Sequence, residues 1–251
     1  KEIGETHRLK QVWFNFPKKE ETDEYSVGEG NELTSLLLEI DGLFWNNNTS
    51  ELLGSTIEFG DIKLHVLAPD HDVAYENKPK EPDELGVRSD DWYIDLRTLI
   101  DNVDDDDIDE GGTNSQSIII LAECEGKKLL LPGDSTPKKL CDALQSYNKT
   151  NGTPLELDFM KLPHHGSTRN VTKNILNEVT CSNFIISTKK NNKYYFPNKE
   201  TIAKLIRYRD SADKAINVYF NYQESLDVLG ITAEELTENN INLNVCNEFN
   251  F

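Results

Sequence analysis

Two adjacent histidines, His164 and His165, stand in the stretch Met160-Lys161-Leu162-Pro163-His164-His165-Gly166-Ser167, and a Gly133-Asp134 pair closes an apolar run upstream of them. Asp134 offers a hard carboxylate oxygen and the imidazoles offer borderline nitrogens, a ligand mix that suits Zn²⁺, Mn²⁺ or Fe. Ions held in that way make a hydroxide nucleophile available near neutral pH. Taken singly, Asp134 reads equally well as a turn residue and the histidines as a solvated pair or as neighbours of a helix end. Their combination favours the metal reading. Both units sit where an apolar strand gives way to Gly or Pro, so both are expected on loops held by a rigid sheet.

The elements that must position them follow from periodicity. Ser117 to Ala122 and the run closing on Leu131 form a strand pair about a Glu125-Gly126 turn, and Leu155 to Leu162 reads as the strand leading to the histidines. Pro137 to Tyr147 reads as a helix capped by Ser135-Thr136, with Pro at its first turn. A short helix is expected over Val171 to Val179, a buried strand over Asn183 to Ser187, a helix over Asn198 to Arg209 and a strand over Asn217 to Tyr222. A short helical turn near Thr232 to Glu235 and an edge strand over Asn242 to Cys246 complete the series. Upstream, Val12 to Phe16 reads as an aromatic strand that joins the sheet. Leu33, Leu36, Leu37 and Ile40 form the core stripe of a helix after Asn31, and Thr56 to Phe59 pairs with Ile62 to Leu67 as a hairpin. His65 in that hairpin reads as a strand residue and not a ligand. This alternation of strand, loop and helix predicts a layered α/β fold.

Composition narrows the function classes. A chain of 251 residues with 37% hydrophobic content holds one large domain or two small ones, and a formal net charge of −19 leaves no broad basic surface for a nucleic-acid backbone. Lys161, Arg169, Lys173, Lys189, Lys190 and Lys193 gather near the proposed site in sequence, as a local basic patch or a solvated rim. Asp104 to Asp107 reads as part of a solvated, mobile acidic insertion without calcium-loop register. Four cysteines without CxxC spacing read as reduced thiols, hence a cytoplasmic protein, and no apolar run is long enough to span a membrane. The first residue is Lys and the one methionine is Met160, so Lys1 is not expected to be the native start.

Asn114-x-x-Ser117-Ile-Ile-Ile, Leu130-Leu131-Pro132-Gly133-Asp134 and Asp158 through Ser167 together resemble the C-terminal half of the metallo-β-lactamase-fold hydrolases, nearest the ComEC-type hydrolase domain. The resemblance extends to Gly60 through Pro69, Phe184 through Ser187 and Asn192 through Pro197. It covers most of the chain between Gly54 and Tyr208. It implies an αββα sandwich, incomplete at its N-terminal side, with one or two zinc ions, or manganese, between the sheets. The implied organisation is residues 1–69 as strand, helix and hairpin, 70–112 as the acidic insertion, and 113–251 as the C-terminal half with both motifs. Asp134 matches the bridging aspartate and His165 the downstream metal histidine. His164 serves as a further ligand, as a catalytic group with Asp134, or as a contact to a substrate phosphate, and Lys161, Ser167 and Asn114 fall to substrate contacts. The first metal motif is absent, since His7, His65 and His71 are isolated, and the Thr113-Asn114 region replaces the middle histidine. The implied activity is metal-dependent, nuclease-like hydrolysis of phosphodiester bonds, with the missing ligands upstream of Lys1 or on a second chain. The alternative is a non-catalytic regulatory or scaffold subunit that binds a protein partner.

Overall fold

A computed structural model describes residues 49–69, 90–111, 114–152, 154–192 and 194–248, with the short pieces 11–13, 32–33, 35–37, 39 and 44–46. The strands are β1 (Gln11–Trp13), β2 (Phe44–Asn46), β3 (Thr56–Phe59), β4 (Ile62–Ala68), β5 (Ile119–Cys124), β6 (Lys127–Leu131), β7 (Leu155–Glu156), β8 (Phe159–Lys161), β9 (Val179–Thr180), β10 (Asn183–Ile186), β11 (Ile216–Phe220) and β12 (Ile241–Val245). The helices are α1 (Leu96–Asp101), α2 (Pro137–Asn151), α3 (Lys173–Asn177), α4 (Lys199–Tyr208), α5 (Gln223–Asp227) and α6 (Ala233–Glu238).

The fold is mixed α/β, built on one 8-stranded sheet of order β12-β11-β10-β8-β6-β5-β4-β3 flanked by helices. The half that runs from β12 to β6 is parallel, and the half from β6 to β3 is an antiparallel meander. Parallel neighbours need crossovers, and α2, α3 and α4 lie in them. On one sheet face the period-2 alternation buries Leu121, Leu130, Met160, Phe184, Ile186, Val218 and Phe220. Leu140 and Leu144 from α2, Ile175 from α3, and Ile202 and Leu205 from α4 join the same core. This arrangement is compatible with an α/β sandwich. Among the described residues the remaining strands form two 2-stranded sheets, β1-β2 and β7-β9.

Several boundaries differ from the sequence reading for identifiable reasons. The aromatic strand near Trp13 pairs with β2 in a separate sheet and does not enter the large one. The long strand expected to end at the histidines is broken at Asp158, whose carboxylate accepts the Lys128 N–H at 2.9 Å and the Lys127 ammonium at 3.0 Å. The helix expected from Val171 is only α3, capped by the Thr172 hydroxyl, and Val179 lies in β9. Leu33 and Leu36 are each 38% exposed, and among the described residues of that stripe only Leu37 is buried, so the whole stripe is not core. Ile40 falls outside the described residues, as do His7, His71, Thr113 and Lys193. His65 is a strand residue as expected, bonded to the Thr56 hydroxyl at 2.8 Å and lying 3.5 Å from Glu123. The four cysteines are free thiols. Among the described residues no helix is long and apolar enough to cross a membrane.

Helix α1 begins at Leu96, and the acids before it have other tasks. Asp90 accepts the Trp92 N–H, and Asp95 caps α1 through the Thr98 N–H. Asp91 reaches across the chain and accepts the Glu200 N–H at 2.8 Å, satisfying the first turn of α4 that Asn198 leaves uncapped. Asp91 is buried and one of its oxygens has no partner. Burial pushes its carboxyl up to about 6, against the lowering effect of the Glu200 and Lys199 N–H groups. The folded chain therefore holds this proton more tightly than the unfolded chain. The associated stability is fully present below the unfolded value of 3.8 and is lost as pH rises through about 6. Asp91→Asn keeps an acceptor for α4 and removes the ionisation. Urea unfolding at pH 4, 6 and 8 is expected to show a small difference from wild type at pH 4, with the variant gaining about 2–3 kcal/mol by pH 8.

Candidate functional site

Three neighbouring parallel strands, β6, β8 and β10, end side by side, and the loops that leave them carry Asp134, the His164-His165 pair and Ser187. After β6, Gly133 turns the chain at φ 61, so close to the Ser117 loop that an added Cβ would lie 3.3 Å from Ser117 Cβ. The Ser117 hydroxyl accepts the Asp134 N–H at 3.2 Å, which fixes the half-buried aspartate at the sheet edge. After β8, the His164 N–H donates to Gly133 O at 3.1 Å, so the acid loop and the histidine loop are bonded backbone to backbone.

His164, His165 and Gly166 follow one another with φ of 45°, 58° and 78°. The left-handed region costs a residue with a Cβ of the order of 1 kcal/mol or more, so two consecutive histidines there must be held by their surroundings. The holding contacts are visible. Ser167 N–H closes the turn onto His164 O at 2.9 Å, the Thr201 hydroxyl donates to Gly166 O at 2.7 Å, and Thr168 N–H donates to Asn198 Oδ1 at 2.9 Å.

The imidazoles are oriented through their Nδ1 atoms. His165 Nδ1 lies 2.9 Å from the Ser187 carbonyl oxygen, which only accepts, so the proton is on Nδ1 and Nε2 is the nitrogen left for a ligand. His164 Nδ1 lies 3.2 Å from Asn170 Oδ1 and 3.5 Å from Asp109 Oδ2. The fully buried Asn170 also donates to Asp109 at 2.8 Å and to Ser135 O at 3.1 Å. Asp109 further accepts the Gly111 N–H and the Asn114 amide, each at 2.8 Å. The Phe196 ring lies 5.4 Å from the His164 ring and 6.1 Å from the His165 ring, centroid to centroid.

Electrostatics follow from this wiring. Burial raises the Asp109 carboxyl, but the hydrogen bonds from His164, Asn170, Asn114 and the Gly111 N–H outweigh it and hold the group well below the usual carboxylate range. Burial lowers His164, yet the bond to Asp109 and the charges of Asp134 and Asp109 leave it above its ordinary value. Lys161 is lowered by burial, with the Asp134 charge opposing, and its ammonium donates to Leu162 O at 3.2 Å.

The structure thus brings together Asp134, His164, His165 and Lys161. Asn114 enters through Asp109, and Ser167, expected to meet substrate, is buried beneath the turn it closes. Three of the flanking basic residues have partners of their own. Arg169 pairs with Asp107 at 2.9 Å, Lys189 with Glu224 at 3.8 Å, and Lys190 lies 5.2 Å above the Trp92 ring. Nor is the acidic run loose in solvent: Asp105 pairs at 3.0 Å with Lys204, an entirely buried ammonium that also donates to Thr168 O and Val171 O. The sequence reading missed Asp109, Asn170, Phe196 and Lys204. Asp109 had no signal, since it follows the aspartate run and resembles its members.

For a metal ion, the donor set fits one side only. Asp134 supplies a carboxylate and His165 an outward Nε2 oriented by a carbonyl, the arrangement common to ligating histidines. Among the described residues no group of three or more His, Cys, Asp or Glu is placed to complete a shell.

The turn geometry can be tested directly. A Cβ on Gly166 would meet three carbons of Ile186 at 3.3 Å in addition to carrying the strain of φ 78, whereas Gly60, at φ 61, has nothing within 4 Å. Gly166→Ala is expected to lose about 1–3 kcal/mol more than Gly60→Ala in urea unfolding. Equal losses would show that the histidine turn is not tightly seated on β10.

No family model matches the chain. Over 120 residues it is 28% identical to Recombination protein 2 of Haemophilus influenzae, an alignment covering 46% of this chain and 14% of that protein. The chain therefore corresponds to a small part of the length of the relative it matches.

Proposed function

We propose that this chain carries the Asp and His-His-Gly half of a metallo-β-lactamase-type hydrolase site that acts on phosphodiester bonds. One observation carries the reading: adjoining parallel strand ends lead into the loops that carry Asp134 and the two histidines, and both imidazoles have Nδ1 engaged, with no partner at Nε2 among the described residues. Asp134 and His165 are the ligands for zinc, with manganese as an alternative and one or two ions in all. The other ligands come from outside the described residues or from a second chain. A bound ion would supply an activated hydroxide and offset charge on the phosphoryl oxygens. His164, held toward its cationic form by Asp109 and Asp134, donates to a phosphate oxygen as negative charge develops there. The likeness to a protein named for recombination favours a nucleic-acid strand among the phosphodiesters. The strong negative charge restricts contact to the immediate site, where the ion and His164 meet one phosphate.

A second reading has its own support. That no group of three or more His, Cys, Asp or Glu among the described residues is placed to hold an ion fits a regulatory or scaffold subunit that keeps the fold and binds a protein partner. The two readings separate in one experiment on the full-length protein, measuring metal content after dialysis and hydrolysis of bis(p-nitrophenyl) phosphate and of single-stranded DNA. The hydrolase reading expects bound metal, and a fall in turnover of more than about 100-fold in Asp134→Ala and in His165→Ala, beyond the 10–100-fold typical of outer-group changes. Metal-free protein whose residual turnover is the same in both variants supports the subunit reading.

A further inference from the structure

We propose that Asp109 is the positioning residue of the site: it fixes the His164 ring in the Nδ1–H tautomer and so makes Nε2 the nitrogen His164 presents. The proposal deepens the hydrolase reading and rests on it for its consequences in turnover, but not for the tautomer itself.

Two oxygen atoms face His164 Nδ1, Asn170 Oδ1 at 3.2 Å and Asp109 Oδ2 at 3.5 Å. Asp109 is ionised and only accepts. Asn170 turns its oxygen to the ring because its amide nitrogen already donates to Asp109 at 2.8 Å and to Ser135 O at 3.1 Å. With acceptors on both sides, Nδ1 must carry the hydrogen; the neutral ring then has its lone pair on Nε2, and a second proton, when bound, sits on that same nitrogen, from which the cationic ring donates. Asp109 determines this twice, once as a direct acceptor and once by setting which way the Asn170 amide points.

The carboxylate is itself immobilised. Gly111 N–H, Asn114 and Asn170 each bond it at 2.8 Å, its own N–H donates to Arg169 O at 3.0 Å, and its side chain is 10% exposed. Arg169 also clasps the preceding segment through Asp107 and Ile108 O. His165 reaches the same tautomer by a different route, through the Ser187 carbonyl. The two rings therefore present equivalent nitrogens although one is oriented by a side chain and the other by backbone. Carboxylate or carbonyl partners of this kind orient functional imidazoles generally, and their loss costs 10–100-fold in metal affinity or activity.

The test uses full-length protein labelled with ¹⁵N in its histidine rings, stripped of metal and held at a pH where both rings are neutral. Ring ¹⁵N shifts and long-range ¹H–¹⁵N correlations report each tautomer. Wild type is expected to show Nδ1–H for both histidines. In Asp109→Asn, His164 is expected to move toward the Nε2–H form while His165 stays unchanged as the internal control. Asp109→Glu, which restores a carboxylate, is expected to recover part of the Nδ1–H population. A wild-type His164 in the Nε2–H form overturns the proposal without any variant, and so does an unchanged His164 in a folded Asp109→Asn protein. Where wild type hydrolyses bis(p-nitrophenyl) phosphate, Asp109→Asn is expected to lower kcat by about 10–100-fold with little change in KM. An inactive wild type counts against the hydrolase reading alone, and the ring shifts then decide the role of Asp109.

Discussion

The backbone bond between the His164 N–H and the Gly133 carbonyl is the constraint on which the rest of the site depends. It joins the loops leaving β6 and β8 at the point where both strands stop, and it exists because those strands are parallel neighbours in register, Leu130 opposite Met160. Parallel pairing aligns the carboxyl ends of strands, so side chains just beyond them converge without any long-range search. The bond also explains two local rules. Gly133 must approach the Ser117 loop closely to offer its carbonyl, and the histidine turn must run through three left-handed residues to return to β10. The strain in that turn is offset by Thr201, Asn198 and the apolar contact of Gly166 with Ile186.

The acidic segment gains a structural meaning in this setting. Asp105 and Asp107 neutralise Lys204 and Arg169, and Lys204 lies where no water reaches its ammonium. A buried ion pair contributes little net stability, because the desolvation of both charges offsets much of their attraction, but removing one partner is costly. Its effect is therefore on register. Residues 104–109 are held against 168–173 in one alignment, which brings Asp109 to His164 and Asn170 and no other aspartate of the run. Part of the acidic excess of this chain thus organises a loop.

What was legible in the sequence is what local chemistry encodes. Gly-Asp and His-His-Gly after apolar runs read as strand ends because the strand-to-loop change is written in consecutive residues, and β6 and β8 bear this out. The β3-β4 hairpin and the Pro137 start of α2 were equally local. The Asp109 network was not legible, because its partners Asn170 and Asp109 are separated by 61 positions and meet only after the sheet forms. Asp158 interrupts the strand pattern of Leu155 to Leu162 by binding the Lys128 N–H, a choice that depends on β6 being its neighbour. Asp91 likewise has its task set by α4, whose first turn it caps from 109 positions away.

These long-range bonds bear on what a half-complete donor set can do. Two imidazoles engaged through Nδ1 and an aspartate whose backbone N–H is bonded to Ser117 are organised during folding, which lowers what a ligand would have to organise on binding. Flexible surface histidines in a merely structural turn have no need of such anchoring, and two non-glycine residues in left-handed backbone are an unfavourable way to build one. The consistent engagement of Nδ1 in both rings, by unrelated partners, is what a site requires and a simple turn does not. The strap from Asp104 to Asp109 and the histidine turn are thereby held as one unit, and on the proposed hydrolase reading any further ligands would face Nε2 of His165 and the carboxylate of Asp134.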